Sequence, residues 1–317
     1  MKYKDKQRKL QVQKLLYKHP ELFNYDNGGG RYEKYESLIF VLLNGLNNLY
    51  PSIQTDVVSY FKKNNIAWWG DDKKYPSGHL LSSQVQCLNF LFALRKDQNA
   101  ALRLAQLFDE TIDAVLHVPG DNEPAFISFE FVFDNRNLLN EDDWNSQRGE
   151  YCTSIDAFMI VIRNEKKVLL PIEWKFTESY LNPENKALEA AKGKERQSRY
   201  NKLIEDSDQL KTPVDLANSI YYFEPYYELM RQTLLVEQMV RNGVADDYQH
   251  FLIVPDSNIE LLQKSFKCNS MDILQVWGNQ LFSTNKFKHI DSSDILNLIK
   301  QLPNYSELYN YLKLRYS

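Results

Sequence analysis

Three cysteines in 317 residues, Cys87, Cys152 and Cys268, stand too far apart for a Cys-x-x-Cys metal knuckle or a disulfide framework, and are expected to be core thiols. No run of about 18 apolar residues occurs. The Lys- and Arg-rich start from Met1 to Lys18 also lacks the unbroken apolar stretch of a secretory signal, so the chain reads as soluble and cytoplasmic, with no membrane partner. Histidine is scarce, and His19, His79, His117, His250 and His289 never fall at metal-ligand spacing, which leaves zinc without support. Neither charge sign dominates. A formal net charge of -4 excludes coating nucleic acid by bulk electrostatics, which needs many cations facing phosphates. It is compatible with an enzyme that gathers carboxylates around a divalent cation and needs only a local basic rim. Internal repeats and low-complexity tracts are missing as well.

Two familiar chemical motifs fail on context. Asn27-Gly28-Gly29-Gly30-Arg31 follows no strand and precedes no Gly-Lys-Ser/Thr, so it reads as a turn rather than a phosphate loop. Ser82-Ser83 lacks the Gly-x-Ser-x-Gly elbow of a serine hydrolase.

What is present is an ordinary globular composition, 43% hydrophobic and 13% aromatic, long enough to bury a substantial core. Residues 1–75 read as a mainly helical extension, in which Tyr35 to Leu49 has apolar residues at helical spacing before Pro51 closes the segment. Ser82 or Ser83 is placed to cap a helix sharing Val85, Leu88, Leu91 and Phe92 on one face, and a second helix follows Asp97. The period then changes. Ala125 to Phe133 alternates, with Ile127, Phe129, Phe131 and Phe133 on one side and Ser128, Glu130 and Val132 on the other, as in a strand. After a polar connection from Asp134 to Gly149, Ser154 to Ile162 and Val168 to Phe176 are apolar runs either side of Asn164-Glu165-Lys166-Lys167, and should pair as a hairpin. A polar, helix-prone stretch runs from Thr177 to Pro213. Pro225 then opens a helix to about Arg241, ended by Gly243, and Phe251 to Val254 is a buried strand reached by that crossover. The expected division is 1–75 N-terminal extension, 76–256 core and 257–317 helical cap, joined as one unit.

One constellation carries chemistry. Phosphodiester hydrolysis needs a cation to neutralise developing charge and activate water, hence at least two carboxylates on a rigid support, with a lysine beside them. In Ile172-Glu173-Trp174-Lys175-Phe176 the strand period puts Glu173 and Lys175 on one face. Asp156 interrupts the preceding apolar run, where an uncompensated carboxylate is costly to bury and a metal ion would compensate it. Acid-x-Lys triplets also begin at Asp71, Asp72, Glu165 and Glu184, but those four lie in polar stretches. Only Glu173 sits in an apolar strand, seventeen residues after an aspartate in the strand before it.

Asp156 followed by Glu173-Trp174-Lys175 resembles the PD-(D/E)XK motif. The wider stretch, through His79-Leu80-Leu81-Ser82-Ser83-Gln84, Arg148-Gly149-Glu150-Tyr151-Cys152-Thr153-Ser154 and Ile172 to Glu178, is similar to a bacterial group assigned by sequence as restriction endonucleases. The likeness covers roughly residues 75–255. It implies a restriction-endonuclease-like α/β (α+β) core, with a central mixed sheet flanked by helices and helical extensions at both ends. It also implies Mg2+-dependent cleavage of DNA, Mn2+ being a substitute, with Asp156 and Glu173 as metal ligands and Lys175 as the catalytic lysine. Residue 155 is Ile rather than the Pro of the motif's name, a harmless variation. Pro171 departs further: it removes a ladder hydrogen bond, so the strand must be bulged or unpaired there on one side.

Members of that superfamily often add an acid from an earlier element and a Gln or Lys from the following helix. Glu130 fits the first role, and a solvent-facing glutamate is the equal alternative. Gln84 is an accessory active-site residue or a first-turn capping partner. After Pro225, Arg231 and Gln232 are placed to reach a phosphate or the attacking water, with Tyr227, Met230 and Leu234 as a core stripe; Arg231 as a plain surface charge is the alternative. A basic rim runs through Lys186, Lys192, Lys194, Arg196, Arg199 and Lys202, offset by Glu184, Glu189 and Glu195, and a solvated helix explains most of it. Tyr221 and Tyr222 could stack on bases. Three readings compete: a DNA endonuclease of a defence system, a catalytically silent nuclease-fold protein binding nucleic acid or a protein partner, and an unrelated α/β protein with a structural Lys175 ion pair. Cutting both strands favours a homodimer by symmetry. Nothing in the sequence fixes the recognition site, DNA against RNA, or a methyltransferase partner.

Overall fold

The computed structural model describes residues 1–70, 73–133, 136–141 and 152–317. Asp71 and Asp72 of the acidic triplets, Arg148 to Tyr151 of the motif, and most of the Asp134–Gly149 connection lie outside them.

The chain opens with α1 (Tyr3–Gln13), then a small antiparallel pair, β1 (Gly30–Tyr32) and β2 (Tyr35–Leu38). The helix expected over Tyr35–Leu49 is absent. Side-chain bonding displaces it: the Asp26 carboxylate accepts the backbone N–H of Gly28, Leu43 and Asn44 and the Asn47 amide, fixing a loop where a helical ladder would run. The loop is gripped between backbones, Gly30 N donating to Val41 O and Leu42 N to Gly78 O, both at 2.8 Å. A Cβ at Gly30 or Gly78 would meet Leu42 O at 2.4 or 2.5 Å, so no larger residue fits. Pro51 begins a short 3-10 turn leading into α2 (Gln54–Lys63) rather than closing a helix.

The next two helices follow the expected caps. In α3 (Ser83–Leu91) the Ser82 hydroxyl accepts Val85 N–H, and in α4 (Gln98–Phe108) Asp97 accepts from Asn99 and Ala100. Strands β3 (Ile112–Leu116) and β4 (Ser128–Phe131) both pair antiparallel with β5 (Ile155–Arg163), at its far and near ends. β5 turns into β6 (Lys166–Trp174) through Asn164 and Glu165, both at positive φ, as a tight two-residue hairpin demands. After α5 (Ala190–Glu205), α6 (Tyr226–Arg241) crosses over to β7 (Asp247–Tyr248) and β8 (His250–Ile253), which run parallel to β6. The last segment holds α7 (Ile259–Lys264), α8 (Ile273–Gly278), β9 (Phe287–Ile290), α9 (Ser292–Gln301) and α10 (Ser306–Tyr316). β9 joins the sheet parallel to β8, a strand that the helical cap expected over 257–317 does not include.

The result is a seven-stranded mixed sheet with the path β3-β5-β6-β8-β9, β4 on β5 and β7 on β6, the α/β architecture expected. Helices cover both faces. One core joins α2, α3, α4, α9 and α10 to Ala157, Met159, Val161, Leu170, Ile172 and Trp174; the other joins α5, α6 and α8 to Phe158, Ile160, Leu169, Leu252 and Val254. Burial on both faces explains why β6 is apolar almost throughout rather than alternating. Each fully buried large aliphatic or Phe side chain contributes about 1.5–3 kcal/mol.

Two local features position the site. Pro171 keeps register with Phe158 of β5, and the ladder is interrupted on its other side: β7 pairs through Leu169 and β8 resumes at Ile172. The strand is thus unpaired at the proline on one side, as its missing N–H requires. The second feature corrects the alternation expected for Ala125–Phe133. Glu130 has φ +46°, and the pairs on either side of it face opposite cores, Phe129 with Ala157 in one and Phe131 with Ile155 in the other. The left-handed residue reverses the pleat, so Phe129 and Phe131 do not share a face.

Candidate active site

β5 and β6 bring the two motif strands together. Their ladder ends with Ala157 opposite Ile172, and the same register carried one step further sets Asp156 opposite Glu173. The β4–β5 register, Phe129 with Ala157 and Phe131 with Ile155, likewise sets Glu130 opposite Asp156. Three acids therefore stand in a row across three neighbouring strands. Where the β5–β6 ladder ends, Trp174 N–H donates instead to Asp156 Oδ2 at 2.7 Å, and Lys175 N–H donates to Ile253 O at 2.9 Å. Pairing with β8 on one side and the Asp156 carboxylate on the other thus hold the Glu173–Lys175 segment in place.

Each acid has its own fixing groups. Glu130 accepts from Gln84 Nε2 at 2.6 Å and from Ser154 Oγ at 2.9 Å. Lys175 Nζ lies 2.5 Å from Glu173 Oε1 and 2.5 Å from Glu228 Oε2, the latter on the first turn of α6. Gln232, one turn further along α6, donates to Glu173 Oε2 and to Ser154 O at 3.0 Å. Its own oxygen faces His250 Nε2 at 2.9 Å. Burial alone drives His250 down to about 3, so the ring is neutral. With both amide hydrogens of Gln232 aimed at acceptors, the ring must carry its hydrogen on Nε2. The other nitrogen, Nδ1, then accepts from Thr233 Oγ1 at 3.3 Å.

Charge follows this geometry. Burial, then Glu173 and Glu130, push Asp156 well above the carboxylate range, against Lys175 and the Trp174 N–H. Burial also pushes Glu173 up to about 7, although Lys175 opposes it. Burial opposes the charge of Lys175 too, but Glu173 and Glu228 together hold it protonated. Burial would raise Glu228, and Lys175 nevertheless brings it below the usual value, so Glu228 is the partner held ionised. Glu224, one turn earlier, is raised to about 7 by burial and by Glu228, and its Oε2 is buried without a partner.

All three motif residues, with Glu130, Gln84 and Gln232, border one pocket of about 1160 Å³. Arg231, Lys192, Arg196 and Arg199 border it as well, whereas Lys194 is exposed on α5 and does not. Gln84 is in the first turn of α3 but spends its side chain on Glu130 and Trp69 N–H. Within the rim, Arg196 pairs with Glu189 at 2.6 Å, Arg199 with Glu195, and Lys202 with Asp206 at 2.5 Å. Tyr221 and Tyr222 do not stack on a ligand: both are 0% exposed, Tyr221 hydroxyl bonded to Lys211 O at 2.7 Å and Tyr222 hydroxyl to Asn201 at 2.6 Å. The three cysteines are buried and none forms a disulfide, as expected. Among the described residues no helix is long and apolar enough to cross a membrane.

Sequence reasoning missed Glu224, Glu228, Ser154 and His250. Glu228, Arg231 and Gln232 recur at helical spacing on α6, with Glu224 four residues before Glu228 ahead of the helix, and that pattern was the available signal. Among the described residues no group of three or more His, Cys, Asp or Glu is arranged to hold a metal ion. The carboxylates of Glu130 and Glu173 are taken up by Gln84, Ser154, Lys175 and Gln232. The donor set is nevertheless hard oxygen throughout, and its mutual repulsion is what a hard divalent cation relieves.

A mixed sheet between helical layers, with acids and a lysine converging from adjacent strands, is a restriction-endonuclease-like arrangement. The family model described as Restriction Endonuclease associating with ARP matches residues 4–317, and the chain belongs to that family. Neither a curated protein nor a solved structure matches it.

Proposed function

We propose that the chain is a Mg2+-dependent endodeoxyribonuclease of the PD-(D/E)XK kind, serving restriction-type defence, with Asp156 and Glu173 as metal ligands and Lys175 as the catalytic lysine. Mn2+ is expected to substitute. The reading rests on the meeting of Asp156 and Glu173 across the β5–β6 register, with Lys175 Nζ 2.5 Å from Glu173, at the wall of a large pocket.

A bound divalent cation would supply charge neutralisation at the phosphoryl oxygens and ease ionisation of the attacking water. The side chains supply position. Lys175, kept cationic between two carboxylates, presents N–H donors to the water or to a non-bridging oxygen. Because Glu228 also neutralises Lys175, the lysine can release Glu173 Oε1 to a cation without losing its counter-charge. Gln232, fixed by His250, holds the other oxygen of Glu173 in place. In hydrolysis the water oxygen bonds to phosphorus, the bond from phosphorus to the departing sugar oxygen breaks, and one proton of the water is released while the departing oxygen gains one.

The trial is plasmid cleavage with Mg2+ by the wild type, Asp156→Ala and Lys175→Ala. Loss of one such group should slow cleavage by about 100-fold or more. Equal activity in all three would refute the assignment. A wild type that binds DNA, yet neither cleaves it nor takes up Mg2+ in calorimetry, would be the silent binding module instead.

A further inference from the structure

We infer that Arg231 forms the floor of a phosphate-binding subsite in this pocket, taking a phosphodiester group of the DNA strand next to the one that is cut. The inference rests on the nuclease reading and adds the group that grips the substrate.

Arg231 lies on α6, one residue before Gln232 and three after Glu228. Its guanidinium sits 4.7 Å over the Tyr227 ring. Among the described residues no carboxylate lies within ion-pair distance of it. Its Nη1 reaches only Thr153 Oγ1, at a long 3.4 Å, and its buried Nε has no acceptor. Three acids act on it through space without pairing: Glu141 accepts Thr153 N–H at 2.7 Å, Thr153 Oγ1 at 2.5 Å and Tyr200 hydroxyl at 2.6 Å, Glu228 is engaged by Lys175, and Glu224 is raised toward neutrality by burial.

Elsewhere the fold pairs such groups. Arg95, enclosed in the core, meets Asp121 and Glu123, and Arg163 meets Asp109 and Asp247. Arg315 also lacks a carboxylate, but it is 0% exposed and packed over Phe23 and Tyr316, and it lines no described pocket. Arg231 differs because it borders the pocket that holds the acids. A half-buried guanidinium whose buried Nε has no acceptor is costly until an anion reaches it, and its planar fork matches a phosphate. Lys192, Arg196 and Arg199 on α5 border the same pocket but are paired with Glu189 and Glu195, which leaves Arg231, of these four, as the cation without a carboxylate partner among the described residues. Arg231 and Glu228 are three residues apart, so the subsite is within about one helical turn (~5.4 Å) of the lysine clamp, a spacing that suits a neighbouring phosphate.

The test measures binding without cleavage: a fluorescent DNA oligonucleotide titrated onto full-length protein in EDTA, at several salt concentrations, with inorganic phosphate as competitor. Arg231→Met should bind about tenfold more weakly or worse, and its salt dependence should fall by about one unit of slope. Arg231→Lys, which retains the charge without the fork, should keep the slope and lose affinity. Should Arg231→Met not fold, the lysine variant and phosphate competition on the wild type still decide the matter. Unchanged affinity in the variants, or wild-type binding that phosphate does not compete for, overturns the subsite. If loss of Arg231 abolishes binding of inorganic phosphate but leaves DNA affinity intact, the site takes free phosphate and the DNA assignment is overturned. Cleavage failing with Mg2+ while Arg231-dependent binding persists would refute the nuclease reading alone.

Discussion

Three carboxylates crowded at one point of a sheet repel one another, and Asp156 bears much of that cost. Burial and its two acidic neighbours raise its pKa. A group raised in this way contributes stability fully below its unfolded value near 3.8, and the contribution is lost as pH rises through the folded value. At neutral pH an ionised Asp156 is therefore a burden. Asp156→Asn removes the charge, keeps the shape and can still accept the Trp174 N–H. In cation-free buffer the variant should melt higher by a few degrees, about 1–2 kcal/mol, while cleavage is abolished. Excess Mg2+ should raise the melting temperature of the wild type and leave that of the variant unchanged. Scanning fluorimetry with and without EDTA reads both; a variant less stable than the wild type in EDTA would show that the crowding is harmless. At this scale Asp156, Glu173 and Lys175 were legible because a charged residue inside an apolar strand demands a reason. Glu228 and His250 were not, because they approach from elements more than fifty residues away and stand in stretches where Glu and His look ordinary.

The hairpin that carries the motif turns through two left-handed residues, Asn164 at φ +50° and Glu165 at φ +64°. Asparagine tolerates that conformation, but a glutamate pays for it, and Asn-Gly is the favoured pair for such a turn. Glu165→Gly is therefore expected to stabilise the protein by about 0.5–1 kcal/mol without altering cleavage, the turn lying at the opposite end of β5 and β6 from the acids. Denaturant titration checks it, and a lower midpoint would mean that Glu165 makes a contact worth more than its strain. Elements with a strong period or a clear cap were readable in this way: the hairpin, α3 behind Ser82, α4 behind Asp97, α6 after Pro225. Those that failed were decided by tertiary forces. The alternation around Glu130 is broken by a single positive φ, held by hydrogen bonds from Gln84 and Ser154 that only the fold brings near. The four residues of β9, Phe-Lys-His-Ile, are too short and mixed to announce a strand; pairing with β8 makes them one. The helical period over Tyr35–Leu49 lost to the side-chain bonds of Asp26.

At the scale of the whole molecule, the N-terminal segment, the C-terminal helix and the pocket wall meet around His79. Its backbone bridges Val41, its carbonyl accepts from Asn48 at 2.9 Å, and Asn48 in turn accepts from Arg315 of α10 at 2.9 Å. Its ring lies against Tyr32, Phe40 and Trp69. Its Nδ1 accepts Leu81 N–H at 3.2 Å, just ahead of the cap of α3, which holds Gln84 at the site. Burial first, then Lys4 and Arg8, lower the His79 pKa from 6.5 to about 4. A histidine lowered in this way favours the folded state above its unfolded value, and that advantage is lost as pH falls from 6.5 toward 4. Protonation would place a hydrogen on the nitrogen that receives Leu81 N–H and a charge beside two cations. The wild type should therefore lose up to about 3 kcal/mol across that interval, from the roughly 1.4 kcal/mol that each pKa unit represents. His79→Gln, which keeps an acceptor and cannot titrate, should lack this component while remaining less stable than the wild type at pH 7. Denaturation midpoints of both proteins at intervals between pH 4 and 7 decide the point. Parallel curves would mean that the acid sensitivity of the fold resides in its carboxylates and not at the seam that closes the chain ends over the active-site wall.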